Sequence, residues 1–315
     1  LLLVRLFSGA GTNDAARWID LGFIRFQPSE IAKGSVIITE ALILSRSQQQ
    51  EGASRKCFKY ILIITGIVCA FILPENLSTA ALLFGVVVLM MFIGRVSLKQ
   101  LGALFGSLTL LVMLIVGLMF IAPKNGVFHR FSTWEERLES HYSPDDPKED
   151  DPATYDIDKG AQVAHANIAI ASSNGIGKMP GNSVQRDFLS QAFSDFIFAV
   201  IIEEMGVTGA VVVVFLYIIL LFRAGRISSR CERNFPPFLA MGLTLLLVSQ
   251  AVLNMMVATG LFRVTGQPLP LISRGGTSTL INCAYIGMIL SVSRYAKQVK
   301  EPQHTRFDGP MTEIK

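Results

Sequence analysis

The sequence is poor in charged residues and in the side chains that bind metals. Aspartate, glutamate, lysine and arginine make up 17% of its 315 residues, whereas soluble domains carry about a quarter. The four histidines are isolated and the four cysteines show no CxxC spacing, which excludes a zinc-ligand motif and a dithiol redox motif. Walker and Rossmann glycine motifs and tandem repeats are also absent, so nucleotide-binding and repeat architectures are not indicated.

Apolar residues fill the sequence instead, at 51% with a mean hydropathy of +0.47. They come in runs long enough to cross a bilayer, for which a helix needs about 20 residues, and not in the shorter alternating runs of a β-barrel. We therefore predict an all-α protein, a polytopic bundle of transmembrane helices. No signal peptide is visible, and Leu1–Phe7 is typical of the end of a span, so we expect the chain to be cut at its N-terminus.

The apolar runs predict a single membrane domain over residues 1–315, with about seven full spans after the partial one. These spans cover residues 28–46, 59–73, 79–94, 100–122, 207–222, 238–259 and 276–295. Lysine and arginine concentrate in the loops at 46–59 and 223–233 and in the tail at 296–315, which places that face in the cytoplasm. Residues 123–195 then form a large, acidic extracytoplasmic loop. The formal net charge of +4 reflects this topology and does not indicate nucleic-acid binding.

Asp195 is the first candidate for a catalytic residue. Apolar residues flank it where the loop meets the next span, a depth at which carboxylates are rare and usually functional. Withdrawal from water strengthens a carboxylate as a base, which suits a general base. An aspartate before an apolar run is also typical of a helix N-cap, and its position alone does not decide between the two interpretations.

Further candidates lie on either side of Asp195 in the sequence. Lys178 lies within the glycine-rich stretch 174–181, and Arg186 follows it. Glycines with cations suit the close approach of a phosphate or sugar; a flexible turn is the alternative. Glu204, together with Glu203, stands beside a glycine before the span at 207–222. There it either faces a water-filled cavity or caps a break in the helix.

Arg25, Glu30 and Lys33 form a second cluster, at the start of the first full span. Glu30 and Lys33 are spaced i,i+3 on a helix and can pair. Lys33 lies within the first turns of the span, so it must snorkel to the surface, pair, or line a cavity.

The segment Thr265–Ser278 is too rich in proline and glycine to be helical. Such backbone is tolerated at membrane depth only when it is buried in protein or lines a wet cavity. Within it, Ser273 and Arg274 are candidates for substrate binding. In the preceding span, Gln250 and Asn254 are predicted to make hydrogen bonds between helices.

Six motifs give the sequence a family resemblance. It resembles the SEDS (shape, elongation, division and sporulation) family of peptidoglycan polymerases, and its division members more than its elongation members. The matching motifs occur in family order along nearly the whole chain: ARWIDLG at 16–22, FQPSEIAK at 26–33, NLSTA at 76–80, SDFIFA at 194–199, EEMG at 203–206 and GQPLPLISRGGTS at 266–278. The resemblance also implies that further spans precede Leu1 in a complete family member.

The resemblance implies a glycosyltransferase that polymerises lipid II, a disaccharide-pentapeptide on undecaprenyl pyrophosphate, during septal cell-wall synthesis at the bacterial inner membrane. It implies that Asp195 matches the catalytic aspartate of the outer loop, and that Arg25 and Lys33 match basic residues required for activity. The usual partners would be a class B penicillin-binding protein and other membrane proteins of division. One departure is clear, because Phe193–Ser194 replaces the usual His-Thr pair before the aspartate.

The implied reaction needs a base on the acceptor sugar hydroxyl and cations on the departing pyrophosphate. Asp195 is the predicted base, and the lysines and arginines named above are the predicted cations. No cofactor is assigned, and a Mg²⁺ or Mn²⁺ ion held by carboxylates stays open. The alternatives are a lipid II flippase and a non-catalytic division scaffold. An ion-coupled transporter ranks last, because repeats and mid-span charges are lacking.

Overall fold

The structure, a computed structural model, describes residues 19–20, 25–50, 52–73, 76–121, 157–189, 192–262 and 264–300. Helices dominate these residues, as predicted: α1 (Pro28–Arg46), α2 (Arg55–Ile72), α3 (Leu77–Ile93), α4 (Leu98–Ile121), α5 (Ile157–Ser172), α6 (Ile197–Ser228), α7 (Phe235–Ala258) and α8 (Gly276–Lys300). Two antiparallel hairpins pair β1 (Ile19–Asp20) with β2 (Arg25–Phe26), and β3 (Gln48–Gln49) with β4 (Gly52–Ala53). The predicted partial span at Leu1–Phe7 lies outside the described residues.

Local sequence explains where several helices begin. Pro28 occupies the first turn of α1, where its fixed φ suits the helix and its missing N–H is no loss. Asn76 caps α3, because its side-chain oxygen accepts a hydrogen bond from the backbone N–H of Thr79 at 3.1 Å. Each of these helices starts within two residues of the predicted position.

Three of the described helices are long and apolar enough to cross a membrane: α6, α7 and residues Gly276–Ala296 of α8. The chain is therefore a membrane protein. Helix α3 is apolar but shorter, and α1, α2 and α4 coincide with the other predicted spans. That these four also cross the bilayer stays a prediction.

Helix α6 begins earlier than the sequence predicted. The predicted span started at 207, but the helix starts at Ile197 and contains one break, at Gly206, with φ 67° and ψ −163°. A side chain at Gly206 would collide with the backbone of Gly175 and Ile176, so glycine is required both for the positive φ and for this close approach. The described part of the predicted outer loop also contains a helix, α5.

The chain forms two compact units, Leu1–Val96 with Gln162–Lys315, and Ser97–Ala161. The second contains α4.

In the first unit, α7 is the central helix and packs against α1, α3, α6 and α8. Small residues on α7 permit this, since a side chain at Gly242 would collide with Ile37 of α1 and Met90 of α3. By contrast, α6 exposes large apolar side chains such as Phe215 and Phe222, as a lipid-facing helix does.

Candidate active site

Asp195 lies just before α6 and is half-buried. Its Oδ1 accepts a hydrogen bond from Ser194 Oγ at 2.9 Å. The N-cap residue of α6 is Phe196, whose side chain is fully buried. Asp195 lies one residue earlier, so it does not occupy the N-cap position that the second interpretation predicted for it. The buried ring of Phe196 fixes the chain directly after the aspartate.

The main chain at Asp195 is held by Asn254 of α7. The Asn254 side-chain N–H₂ donates to the carbonyl oxygen of Asp195 at 2.9 Å and to that of Gln267 at 2.8 Å. The amide therefore bridges two segments that are far apart in sequence. The predicted hydrogen bonds between helices are confirmed for Gln250, which accepts from Lys33 of α1, whereas Asn254 joins two non-helical segments instead.

The proline- and glycine-rich outer segment is fastened to the chain before Asp195. Ser273 Oγ donates to the carbonyl of Ser194 at 2.6 Å and accepts from the backbone N–H of Leu269 at 2.7 Å. The backbone N–H of Arg274 donates to the carbonyl of Phe193 at 2.9 Å. Ser273 is thus buried in a structural role, whereas Arg274 is exposed and its backbone is fixed to the residue two positions before Asp195.

Lys33 is fully buried, so the snorkelling interpretation is wrong and the pairing interpretation is confirmed. Its Nζ lies 2.7 Å from Glu30 Oε1. It also donates to Gln250 Oε1 at 3.1 Å and to Gln267 Oε1 at 3.4 Å. An ammonium has three N–H donors and no acceptor, so these three oxygens satisfy it. A buried cation persists only with such partners.

Sequence reasoning missed three residues of this buried network. Gln267 Nε2 donates to Thr79 Oγ1 at 2.6 Å, and Tyr285 Oη donates to the carbonyl of Glu30 at 2.7 Å. The segment around Gln267 was expected either to be buried in protein or to line a wet cavity, and burial would have marked its one amide side chain as a network member. Nothing in the local pattern identified Thr79 or Tyr285, because their partners lie far away in the sequence.

A second polar cluster surrounds Glu203, which is fully buried in α6. Lys178 Nζ lies 2.7 Å from Glu203 Oε1, and Ser183 Oγ donates to Oε2 at 2.5 Å. Two backbone N–H groups, of Val184 and Gln185, also donate to the carboxylate, at 3.2 and 3.3 Å. The Glu203 carboxylate therefore fastens the loop from 173 to 189 to α6. Two backbone hydrogen bonds add to it, from the Lys178 N–H to the Glu203 carbonyl at 2.9 Å and from the Val207 N–H to the Gly175 carbonyl at 3.0 Å.

Glu204 and Arg186 are more exposed than Lys33 and Glu203. Glu204 is half-buried, and Arg186 Nε lies 3.4 Å from Asp187 Oδ1 on the surface. Arg25 lies in β2, opposite Asp20 of β1. Within the described ranges, no three His, Cys, Asp or Glu side chains come together as a metal site. The substrate-binding roles of these residues stay predictions.

The comparison with protein families is decisive. The FtsW, RodA and SpoVE family model, described as a cell cycle protein, matches residues 1–298. The chain belongs to this family. The resemblance drawn from the six motifs is thereby confirmed. The predicted all-α class is confirmed as well, because helices dominate the described residues and a solved relative shares the fold with a TM-score of 0.69.

Three similar proteins illustrate the FtsW, RodA and SpoVE family membership. A Nitrosomonas europaea protein named Probable peptidoglycan glycosyltransferase FtsW is 34% identical over 300 residues, covering 93% of this chain and 72% of the relative. The Escherichia coli K12 peptidoglycan glycosyltransferase MrdB is 30% identical over 295 residues, covering 93% of this chain and 75% of the relative. A chain solved in a peptidoglycan synthase complex that coordinates polymerization and crosslinking is 26% identical, with a TM-score of 0.69, covering 94% of this chain and 79% of that one.

Proposed function

We propose that the chain is a peptidoglycan glycosyltransferase that polymerises lipid II into glycan strands during septal cell-wall synthesis. The names of its relatives support the reaction class. The observation that supports the site is the placement of Asp195. Asp195 is half-buried. Asn254 donates to the backbone carbonyl of Asp195, and Ser273 donates to the backbone carbonyl of Ser194. A carboxylate on a fixed backbone beside a membrane helix is suited to act as a positioned base.

The proposed step forms one glycosidic bond, breaks one glycosyl–phosphate bond and moves one proton to Asp195. Asp195 takes the proton of the acceptor sugar's 4-hydroxyl as that oxygen bonds to the anomeric carbon of the growing glycan. The bond from the anomeric carbon to the pyrophosphate oxygen breaks, and undecaprenyl pyrophosphate leaves with the electron pair. We assign Arg274, which is exposed and fixed through its backbone beside Phe193, as a cation for the departing charge.

The membrane arrangement belongs to the same proposal. A lipid-linked substrate requires the site to open to the bilayer, and the positive-inside pattern puts the Asp195 end of α6 on the extracytoplasmic face of the inner membrane. All seven predicted spans would then form one membrane domain. We propose a class B penicillin-binding protein as the partner that supplies transpeptidation, together with other division membrane proteins. The solved relative in a peptidoglycan synthase complex supports a partner of this kind.

The test is the polymerisation of labelled lipid II, with the partner co-expressed, by an Asp195→Asn variant. A positioned base is worth about 10² to 10⁴ in rate, so we expect glycan synthesis to fall at least about 100-fold. Asp187→Asn is the matched control, since Asp187 is a 76% exposed aspartate of the same loop, and it should polymerise normally.

Near-normal polymer from Asp195→Asn would refute the assignment of the base. The flippase alternative predicts that lipid II still crosses vesicle membranes when Asp195 is replaced, without any polymer from the unaltered protein. The scaffold alternative predicts that Asp195→Asn still supports cell division.

A further inference from the structure

Lys33 makes three contacts that leave its ammonium no donor for a substrate phosphate. Its side chain is 0% exposed, and its three N–H groups face Glu30, Gln250 and Gln267. A phosphate ligand has to present free donors toward the substrate. The family resemblance implies that Lys33 is required for activity. Its contacts point to a role in positioning other residues and not in binding phosphate.

The Lys33 ammonium fixes the direction of two side-chain amides. Because it can only donate, both amides must turn their oxygens toward it and their N–H₂ groups away. Gln250 Nε2 then donates to the carbonyl of Pro268 at 3.2 Å, and Gln267 Nε2 donates to Thr79 Oγ1 at 2.6 Å. One cation thereby sets the direction of hydrogen bonds that pin the outer segment at two successive residues, 267 and 268.

The same segment is joined to Asp195. The Gln267 carbonyl accepts from Asn254, and the same Asn254 N–H₂ group holds the carbonyl of Asp195. Farther along the segment, Ser273 donates to the carbonyl of Ser194. A continuous set of contacts therefore runs from Lys33 through the outer segment to the two peptide groups that flank Asp195.

We propose that Lys33 is a positioning residue for Asp195, which acts by orienting Gln250 and Gln267 and so fixing the outer segment that clamps the aspartate backbone. The inference rests on the proposed function for its catalytic meaning, because it assumes that Asp195 is the base. The structural link itself does not depend on that function. Removing a residue that binds the substrate phosphate raises KM, whereas removing a positioning residue lowers kcat.

The experiment compares Glu30→Gln/Lys33→Gln, Gln267→Ala and their combination. The double replacement removes both charges, so no buried carboxylate is left without its partner. Gln267→Ala keeps Lys33 paired with Glu30 and Gln250, and it would leave a phosphate-binding lysine in place. Gln48→Ala is the matched control, because Gln48 is a partly buried glutamine that bonds the Gly94 carbonyl at 2.9 Å, away from this network.

Two readouts are taken on the full chain in nanodiscs. Amide hydrogen exchange should be faster at residues 193–196 and 265–274 in both the charge-free variant and Gln267→Ala, and unchanged in Gln48→Ala. In lipid II polymerisation with the partner present, a misplaced base lowers kcat, and we expect a loss of roughly 10- to 100-fold while KM stays within about twofold. The combined variant should lose little more than either alone, because the two changes act through one network.

The proposal is overturned if the charge-free variant exchanges like the unaltered chain at 193–196, or if its main defect is a raised KM with kcat retained. It is also overturned if Gln267→Ala keeps full kcat and normal exchange, and this variant decides the matter should the charge-free one fail to fold. If the charge-free variant exchanges faster but Asp195→Asn is active, the link from Lys33 to the Asp195 backbone is supported and Asp195 is refuted as the base. Unchanged exchange with an inactive Asp195→Asn variant would refute the link alone.

Discussion

Replacing Glu203 with glutamine should loosen the loop that runs from 173 to 189. The carboxylate is fully buried and accepts hydrogen bonds from Lys178, Ser183 and the backbone N–H groups of Val184 and Gln185. A carboxylate is an acceptor at every lone pair, whereas an amide carries two donors on one side. Whichever oxygen becomes N–H₂, one backbone N–H that now has an acceptor will face a donor instead.

The size of the effect follows from those contacts. A buried N–H left without an acceptor costs about 1–3 kcal/mol, and the bond to Lys178 loses its charge assistance as well. Lys178 is 31% exposed, so water recovers part of that second loss. We expect a destabilisation of about 2–4 kcal/mol, which corresponds to a fall in Tm of roughly 5–10 °C for a domain of a few hundred residues.

The measurement is thermal unfolding in detergent, combined with limited trypsin digestion. Trypsin cleaves after lysine and arginine, and both Lys178 and Arg186 lie in this loop, so a loosened loop should be cut faster there in Glu203→Gln. The matched control is Glu204→Gln. Glu204 is half-buried, and its carboxylate makes no hydrogen bond within the part of the chain that the structure describes. It should unfold and digest like the unaltered chain.

The role assigned to the Glu203 carboxylate is refuted if Glu203→Gln keeps both its Tm and its digestion rate. It is also refuted if Glu204→Gln loses as much stability as Glu203→Gln, since a general effect of lost charge in this helix would then explain both.

Two further changes test the packing of the helices. Gly34→Ala should destabilise by about 1–3 kcal/mol, because its Cβ would collide with the ring of Tyr285, whereas Gly85→Ala meets nothing within 4 Å and should be neutral or stabilising in thermal unfolding. Tyr217→Phe should cost about 1–2 kcal/mol, since it leaves a buried carbonyl of the outer segment without its donor. Tyr60→Phe, at a 59% exposed position, should change Tm little in the same assay, and equal losses for both tyrosines would contradict this account.

Much of the helical architecture could be predicted from the apolar runs, because a run of about 20 apolar residues is by itself enough to predict a membrane helix. The pairing of Glu30 with Lys33 was also predictable, since i,i+3 spacing on a helix places both on one face. The start of α6 was not, because Gly206 interrupts the helical dihedrals without ending the helix.

The candidate site was predictable only in part. The sequence singled out Asp195, but the contacts that hold it come from distant segments. Its carbonyl accepts from Asn254, which also holds the Gln267 carbonyl, and the Gln267 side chain in turn donates to the hydroxyl of Thr79. Local pattern carries no information on such contacts. For the same reason the pattern favoured Glu204, while the structure engages Glu203; two adjacent glutamates look alike until the opposing loop is in place.

The contacts of Lys33 have a consequence for how the protein is made. Its partners Gln250 and Gln267 lie 217 and 234 residues farther along the chain, so the ribosome has still to synthesise them when α1 leaves it. During that interval Glu30, one helical turn away, is the partner already at hand to offset the charge. The Glu30–Lys33 ion pair can therefore form as soon as α1 does, whereas the glutamine contacts of Lys33 can form only after residue 267 has been synthesised.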